Sequence, residues 1–417
     1  MIREPKILLY ELISALSEAV DLVSPSVADH HMKVAYIAYN LGLEKGLSGQ
    51  ELDELILAGA LHDIGALSLS ERLDFLNFEI DHPHKHAELG YQLLKEFEPL
   101  ANVASIIRFH HVPWNSGKGN NFQGLEVSLY SHILHLADRI SVLIDPQKEP
   151  LSQVQTIVST IEAKEGILFV PELVEAFKAL AQREYFWLEA SSPSRSTLLF
   201  KGVLRTSITL DIHGLLSFAR LFARIIDFRS RHTATHSSGV AAVAGRIAEL
   251  IGFSEREVRD LKIAGYLHDL GKLSVPQEIL DKEEPLTEDE FNIIKRHAFY
   301  TYSLLDQIES MDRINTWASY HHERLDGSGY PFHLTSSDFP LGSRIIAVAD
   351  IFTALTEDRP YRAGMSDEKV LSILTDMAEE NQLDPYLVEL LKRYADSIGS
   401  IRRETQEAAR KEYQAIV

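Results

Sequence analysis

Apolar residues recur at helical spacing along almost the whole chain. Ile37, Leu41, Ile56, Ala60 and Leu61 fit helical faces, and Val240, Val243, Ile247 and Leu250 repeat the pattern downstream. Strand-like alternation is scarce; its best stretch, Thr197–Leu210, is short. Three helix starts read as capping boxes, in which a hydroxyl and a glutamate satisfy free backbone N–H groups: Ser48 with Glu51, Ser254 with Glu257, and Thr287 with Glu290. The first two lie 14 residues before the His-Asp pairs His62-Asp63 and His268-Asp269, so the same helix opens at the same place in each half. The expected fold class is all-α.

That repetition extends to chemistry. His236, His268, Asp269, His297, His321, His322 and Asp350 in the second half match His31, His62, Asp63, His86, His110, His111 and Asp138 in the first. The offset is 205 at the first pair and 212 at the last. Each set offers five imidazoles and two carboxylates, enough for two metal ions sharing a carboxylate bridge. One histidine alone is more often a surface or satisfied core residue; seven recurring in order are a duplicated site.

Composition narrows the field. The 417 residues are 45% hydrophobic and 24% charged, an ordinary globular balance with room for two cores. No cysteine is present, which excludes disulfides, zinc-thiolate sites and iron–sulfur clusters. A formal charge of −20 argues against a partner that is polymeric nucleic acid. No signal-peptide pattern opens the chain and no apolar run suggests a membrane partner, so the expected location is cytoplasmic. Gly117–Gly124 reads as a flexible loop, and Glu404–Tyr413 as a charged helical tail with a solvated face.

In the second half, Gly271 with Pro276 beyond it reads as a helix stop after His268-Asp269. His321-His322 precedes the turn-rich Asp326-Gly-Ser-Gly-Tyr-Pro331. These residues carry a family resemblance. His268-Asp-Leu-Gly-Lys272 and His321-His-Glu-Arg-Leu-Asp-Gly-Ser-Gly-Tyr-Pro331, with Arg344–Asp350 and Arg359-Pro-Tyr-Arg362, resemble the HD-GYP subset of the HD phosphohydrolase superfamily. The resemblance covers about residues 212 to 394. It implies two tandem HD-type helical bundles: a first domain at 1–190, a connector at 191–211 and a second domain at 212–417. It also implies a phosphodiesterase acting on a bacterial cyclic dinucleotide, foremost cyclic di-GMP, opened to linear pGpG or on to GMP. The alternatives are 3′,3′-cyclic GMP-AMP as substrate, a non-catalytic nucleotide-responsive scaffold, or a nucleoside-phosphate phosphohydrolase.

The residues suit that chemistry in their own right. A phosphodiester repels nucleophiles and has a poor leaving group; two metals can clamp and neutralise it. Asp269 is the natural bridge, with His236, His268 and Asp350 on one ion and His297, His321 and His322 on the other. With nitrogen and oxygen ligands alone, the two divalent cofactors are expected to be iron or manganese rather than zinc. Lys272 stands one helical turn from His268, where it can touch the scissile phosphate. Arg359 and Arg362 supply forks for phosphate. Tyr330 is a candidate stacking face for guanine, or else packs beside Pro331; Gly327 and Gly329 shape the loop. Four residues before His236 stands His232, an additional candidate ligand, where three-metal relatives carry glutamate; two ions are favoured.

The first half keeps every candidate ligand but loses the substrate apparatus. Ala66 replaces the lysine, Gln147 and Pro150 stand for the arginines, and no GYP loop follows His111. Of His82, His84 and His86, the last fits the register. This domain is expected to be regulatory, with a signalling partner or a homodimer as its associate.

Overall fold

The computed structural model describes residues 6–23, 29–66, 78, 84–192, 199, 208–228, 235–358 and 363–415. His82, His232, Arg359 and Arg362 lie outside the described residues. The chain divides into two compact units, one of Leu8–Thr209 and the other of Leu210–Val417 together with the described residues up to Ile7. Both are helical; extended pairs among the described residues are two residues long. No described helix is long and apolar enough to cross a membrane.

The first unit contains α1 (Leu9–Asp21), α2 (His30–Glu44), α3 (Gln50–Leu61), α4 (His84–Leu94), α5 (Ala101–Arg108), α6 (Leu129–Leu143), α7 (Val154–Glu162), α8 (Pro171–Ala181) and α9 (Glu184–Ala190). Helices α2, α3 and α6 pack together around Val34, Ile37, Ala38, Leu55 and Leu136, all fully buried. Ser48 and Glu51 form half of the expected capping box: Glu51 accepts from the Ser48 N–H, while the helix starts after Gly49, whose φ is 55°. Gly117–Gly124 carries regular backbone structure. It forms a 3-10 turn over Asn115–Asn120 and then a hairpin pairing Asn121 with Glu126 and Phe122 with Leu125.

The second unit contains α10 (Ile212–Phe228), α11 (His236–Ile251), α12 (Glu255–Leu267), α13 (Glu288–Leu305), α14 (Asp312–Ser319), α15 (Leu341–Thr356), α16 (Asp367–Glu379), α17 (Pro385–Arg393) and α18 (Ala395–Gln414), with a single turn at Gln277–Leu280. Both capping boxes are complete, Ser254 with Glu257 and Thr287 with Glu290. Helix α11 packs on α12, α15 and α18. The tail helix α18 therefore is not merely a solvated face. It buries Arg402 and Gln406, and Gln406 bonds to Glu357 at the end of α15. Gly271 does not stop a helix by adopting a left-handed conformation; α12 has already ended at Leu267. It is glycine because a Cβ there would come within 2.0 Å of the His297 carbonyl oxygen, and Gly65 repeats this against His86 at 2.1 Å.

Candidate metal centres

In the second unit the histidines and carboxylates converge from helix ends. His236 is the first residue of α11, and His268 and Asp269 follow the last residue of α12. His297 projects from α13, His321 and His322 follow α14, and Asp350 lies in α15. All are buried except His322, which is nearly so. His236 Nε2 lies 3.1 Å from Asp350 Oδ1, and His268 Nε2 lies 3.9 Å from the same oxygen. Across the site, His297 Nε2 is 3.2 Å from His321 Nε2.

Asp269 stands between the two groups. One oxygen, Oδ2, is 3.2 Å from His268 Nε2; the other, Oδ1, is 3.5 Å from His297 Nε2 and 4.0 Å from His321 Nε2. Lys272 Nζ donates to Asp269 Oδ2 at 2.6 Å. Burial opposes ionisation of Asp269, but His268 and Lys272 hold its carboxyl well below the usual range.

Three of the rings are set by the backbone. His268, His297 and His321 donate Nδ1–H to the carbonyls of Gly265, Ile294 and Ala318 at 2.8, 2.6 and 2.7 Å. A carbonyl can only accept, so Nδ1 carries the proton and Nε2 presents its lone pair inward. His236 differs: its Nδ1 pairs with Glu357 at 2.9 Å. Burial disfavours charge on His236, yet Glu357 and Asp350 outweigh it and push its pKa up to about 10. Burial dominates across the site, taking His297 down to about 4 and His321 to about 3.

A divalent cation fits this donor set. His268 Nε2 and Asp269 Oδ1 are buried without a hydrogen-bond partner, an arrangement that costs about 1–3 kcal/mol per group unless something else satisfies it. His236, His268 and Asp350 could hold one ion and His297, His321 and His322 another, since each group's donor atoms lie within 4.8 Å of one another.

The loop after His322 is organised by Glu323, whose role the sequence reading missed. Its buried carboxylate accepts from the backbone N–H groups of Phe332 and Leu334 at 2.7 and 2.9 Å. Gly329 is required, because a Cβ would stand 2.4 Å from the Glu323 Cα. The loop returns Tyr330 to its start, where its ring centroid is 4.8 Å from that of His322. Arg324, also overlooked, sits within Coulomb reach of Asp350 and Tyr330.

The first unit repeats the cluster with one change of register. His30, not His31, faces Asp138, with Nε2 3.5 Å from Oδ1. His31 instead turns its Nδ1 to Asp21. The reason is visible 206 residues later: Asp227 occupies the place of Asp21 and bonds to Ser237, the residue after His236, at 2.9 Å. His31 therefore corresponds to Ser237, and His30 to His236. The other expected residues come together: Asp63 Oδ2 is 3.3 Å from His62 Nε2, and Asp63 Oδ1 is 3.2 Å from His86 Nε2. His62 and His110 donate Nδ1–H to Gly59 and Ile107 at 2.9 and 2.7 Å. Burial opposes charge on His62, but Asp63 raises its pKa to about 9.

Comparison with known proteins places these centres. Residues 27–143 match one HD domain family model and residues 220–387 another. The chain is 31% identical over 396 residues to the 3′3′-cGAMP-specific phosphodiesterase 1 of Vibrio cholerae serotype O1, covering 91% of this chain and 90% of that protein. It is 42% identical over 174 residues to the cyclic di-GMP phosphodiesterase response regulator RpfG of Xanthomonas campestris pv. campestris, covering 41% of this chain and 46% of that one. A crystal structure of a cyclic GMP-AMP specific phosphodiesterase of V. cholerae, V-cGAP3, superposes with a TM-score of 0.66 at 25% identity, covering 94% of this chain and 98% of that one. With two HD domains and a relative of this identity along nearly its whole length, the chain belongs to the HD-GYP family of HD-domain phosphodiesterases.

Proposed function

We propose that the second domain hydrolyses a cyclic dinucleotide, with 3′,3′-cyclic GMP-AMP ahead of cyclic di-GMP. The observation that carries the reaction class is Asp269, its two oxygens turned to different groups of histidines and Lys272 beside it. The order of substrates reverses the sequence expectation. It rests on similarity along both domains to a cGAMP-specific enzyme, whereas the similarity to RpfG covers 41% of this chain.

Two divalent ions, iron or manganese, would be held by His236, His268 and Asp350 and by His297, His321 and His322, with Asp269 shared. When bound, they supply Lewis acidity and neutralise phosphate charge. Lys272, beside Asp269, is assigned to pair with the scissile phosphate or to donate a proton to the departing sugar oxygen. Arg359 and Arg362 are assigned to phosphate contact from the sequence. The Tyr330 ring supplies an aromatic face beside His322, consistent with stacking on a base. Water adds across one P–O3′ bond, leaving a linear product with a 5′-phosphate and a 3′-hydroxyl.

The first domain is assigned no hydrolysis, because Ala66 replaces the lysine and Val112 stands where Glu323 organises the substrate loop. A regulatory role, through a homodimer or a signalling partner, is the reading its duplication supports.

Product chromatography of the full chain on both cyclic dinucleotides, beside Asp269→Ala, tests this. Faster turnover of cyclic GMP-AMP, abolished in the variant together with most of the second-domain metal, is expected. Hydrolysis persisting in Asp269→Ala would place the chemistry elsewhere, and preference for cyclic di-GMP would restore the other substrate.

A further inference from the structure

We infer that the first domain binds a single tetrahedral divalent ion of zinc type through Asp63, His86, His110 and His111, and that the Arg139 guanidinium takes the place of a second ion. This does not depend on what the second domain hydrolyses.

The four donor atoms all lie within 4.8 Å of one another. His86 Nε2 lies 3.1 Å from His111 Nε2, 3.4 Å from His110 Nε2 and 3.2 Å from Asp63 Oδ1. His110 Nε2 lies 3.9 Å from the same carboxylate oxygen. Zinc bonds near 2.0–2.1 Å put neighbouring tetrahedral ligand atoms roughly 3.3–3.4 Å apart. All four residues are buried, and Asp63 Oδ1 has no hydrogen-bond partner. The Nδ1–H of His110 is committed to the Ile107 carbonyl, so its Nε2 offers a lone pair toward another imidazole nitrogen. With His86 and His111 protonated at Nδ1, their Nε2 atoms would turn lone pairs to the same point, where a cation would take the place of a shared proton.

The other half is built differently from its counterpart. Arg139, 2% exposed, donates Nη2 and Nε to Asp138 Oδ2 at 2.7 and 3.2 Å. It also donates Nη1 to the Phe78 carbonyl at 3.2 Å. The matching residue after Asp350 is Ile351. The guanidinium is a fixed charge that cannot be titrated away. It neutralises Asp138 and repels a dication between His30 and His62. What remains is a closed site with four protein ligands, the pattern of structural rather than catalytic zinc.

The test is metal counting on the full chain. Apoprotein carrying His236→Ala, His268→Ala, Asp269→Ala, His297→Ala and His321→Ala, which dismantles both groups of the second domain, is loaded with Zn2+ alone, desalted and analysed. One equivalent is expected, lost on adding His110→Ala but kept on adding His30→Ala. Arg139→Ile should raise the count to two. Zero or two equivalents in the parent variant, or retention after His110→Ala, would overturn the inference. Should the parent variant not fold, His110→Ala or His86→Gln in the otherwise native chain must lower the total by one ion and depress the melting temperature. Neither should change cyclic dinucleotide turnover; an unchanged count in both would overturn the inference equally.

Discussion

Glu357 Oε2 lies 2.9 Å from His236 Nδ1, and Gln406 of the tail helix donates to the other oxygen of the same carboxylate. A candidate metal ligand is thus oriented by the residue that caps α15, which is itself held by α18. Losing the partner of a ligating histidine costs about 10–100-fold in metal affinity or activity. Glu357→Ala should weaken ion binding at the His236 half by that amount, and Gln406→Ala should do so less. Competitive chelator titration of both variants measures it; wild-type affinity in Glu357→Ala would remove the role assigned to that contact.

Lys272 is expected to act on substrate. Although it reaches Asp269 at 2.6 Å, it supplies no metal ligand. Lys272→Ala should reduce cyclic dinucleotide turnover roughly 10–100-fold, since a hydrogen bond to a charged group is worth about 1.5–3 kcal/mol. Metal content should stay near wild type. Steady-state kinetics beside metal analysis separates this from a variant that simply fails to load.

Gly271 should tolerate no side chain. A methyl group would stand 2.0 Å from the His297 carbonyl oxygen, and overpacking of this kind typically costs about 1–3 kcal/mol. Gly271→Ala should lower stability and disturb His297, so denaturant unfolding and metal content should fall together. Gly65→Ala should do the same in the first domain, sparing catalysis.

The two halves of the second site should load with different pH dependence. His236 is pushed up to about 10 by Glu357 and Asp350, so the apoprotein holds it protonated at neutral pH, and binding must release that proton. His297 and His321, near 4 and 3 because of burial, are already neutral. Affinity at the His236 half should therefore rise with pH from 6 to 9, by up to about tenfold per unit. Affinity at the other half should stay flat. Metal titrations of apoprotein across that range should resolve one sloping and one level equivalent; parallel slopes would contradict the assignment.

The sequence displayed what local chemistry dictates. Helical periodicity, two complete capping boxes and the adjacent His-Asp pairs all mark helix ends that the structure contains. It displayed less of what depends on distant partners. His30 and His31 are neighbours of the same type, and only Asp21, ten residues from His31, decides which one turns inward. Glu357, Arg402 and Gln406 look like solvated polar residues, yet all three are buried where α18 packs on α11. Arg139 reads as an ordinary helical cation, yet it is buried against Asp138. Glu323 is part of a recognisable motif, but its bonds to Phe332 and Leu334 belong to a loop geometry that spacing does not convey.

The backbone carbonyls that receive Nδ1–H from His62, His110, His268, His297 and His321 come from the turn that precedes each ring. Inheritance of the grip on metal therefore needs only the helices and their ends. The grip on substrate depends on a loop that can be rewritten separately. Gene duplication could then free one copy from catalysis without dismantling its ligand set, while its twin keeps the loop that meets substrate.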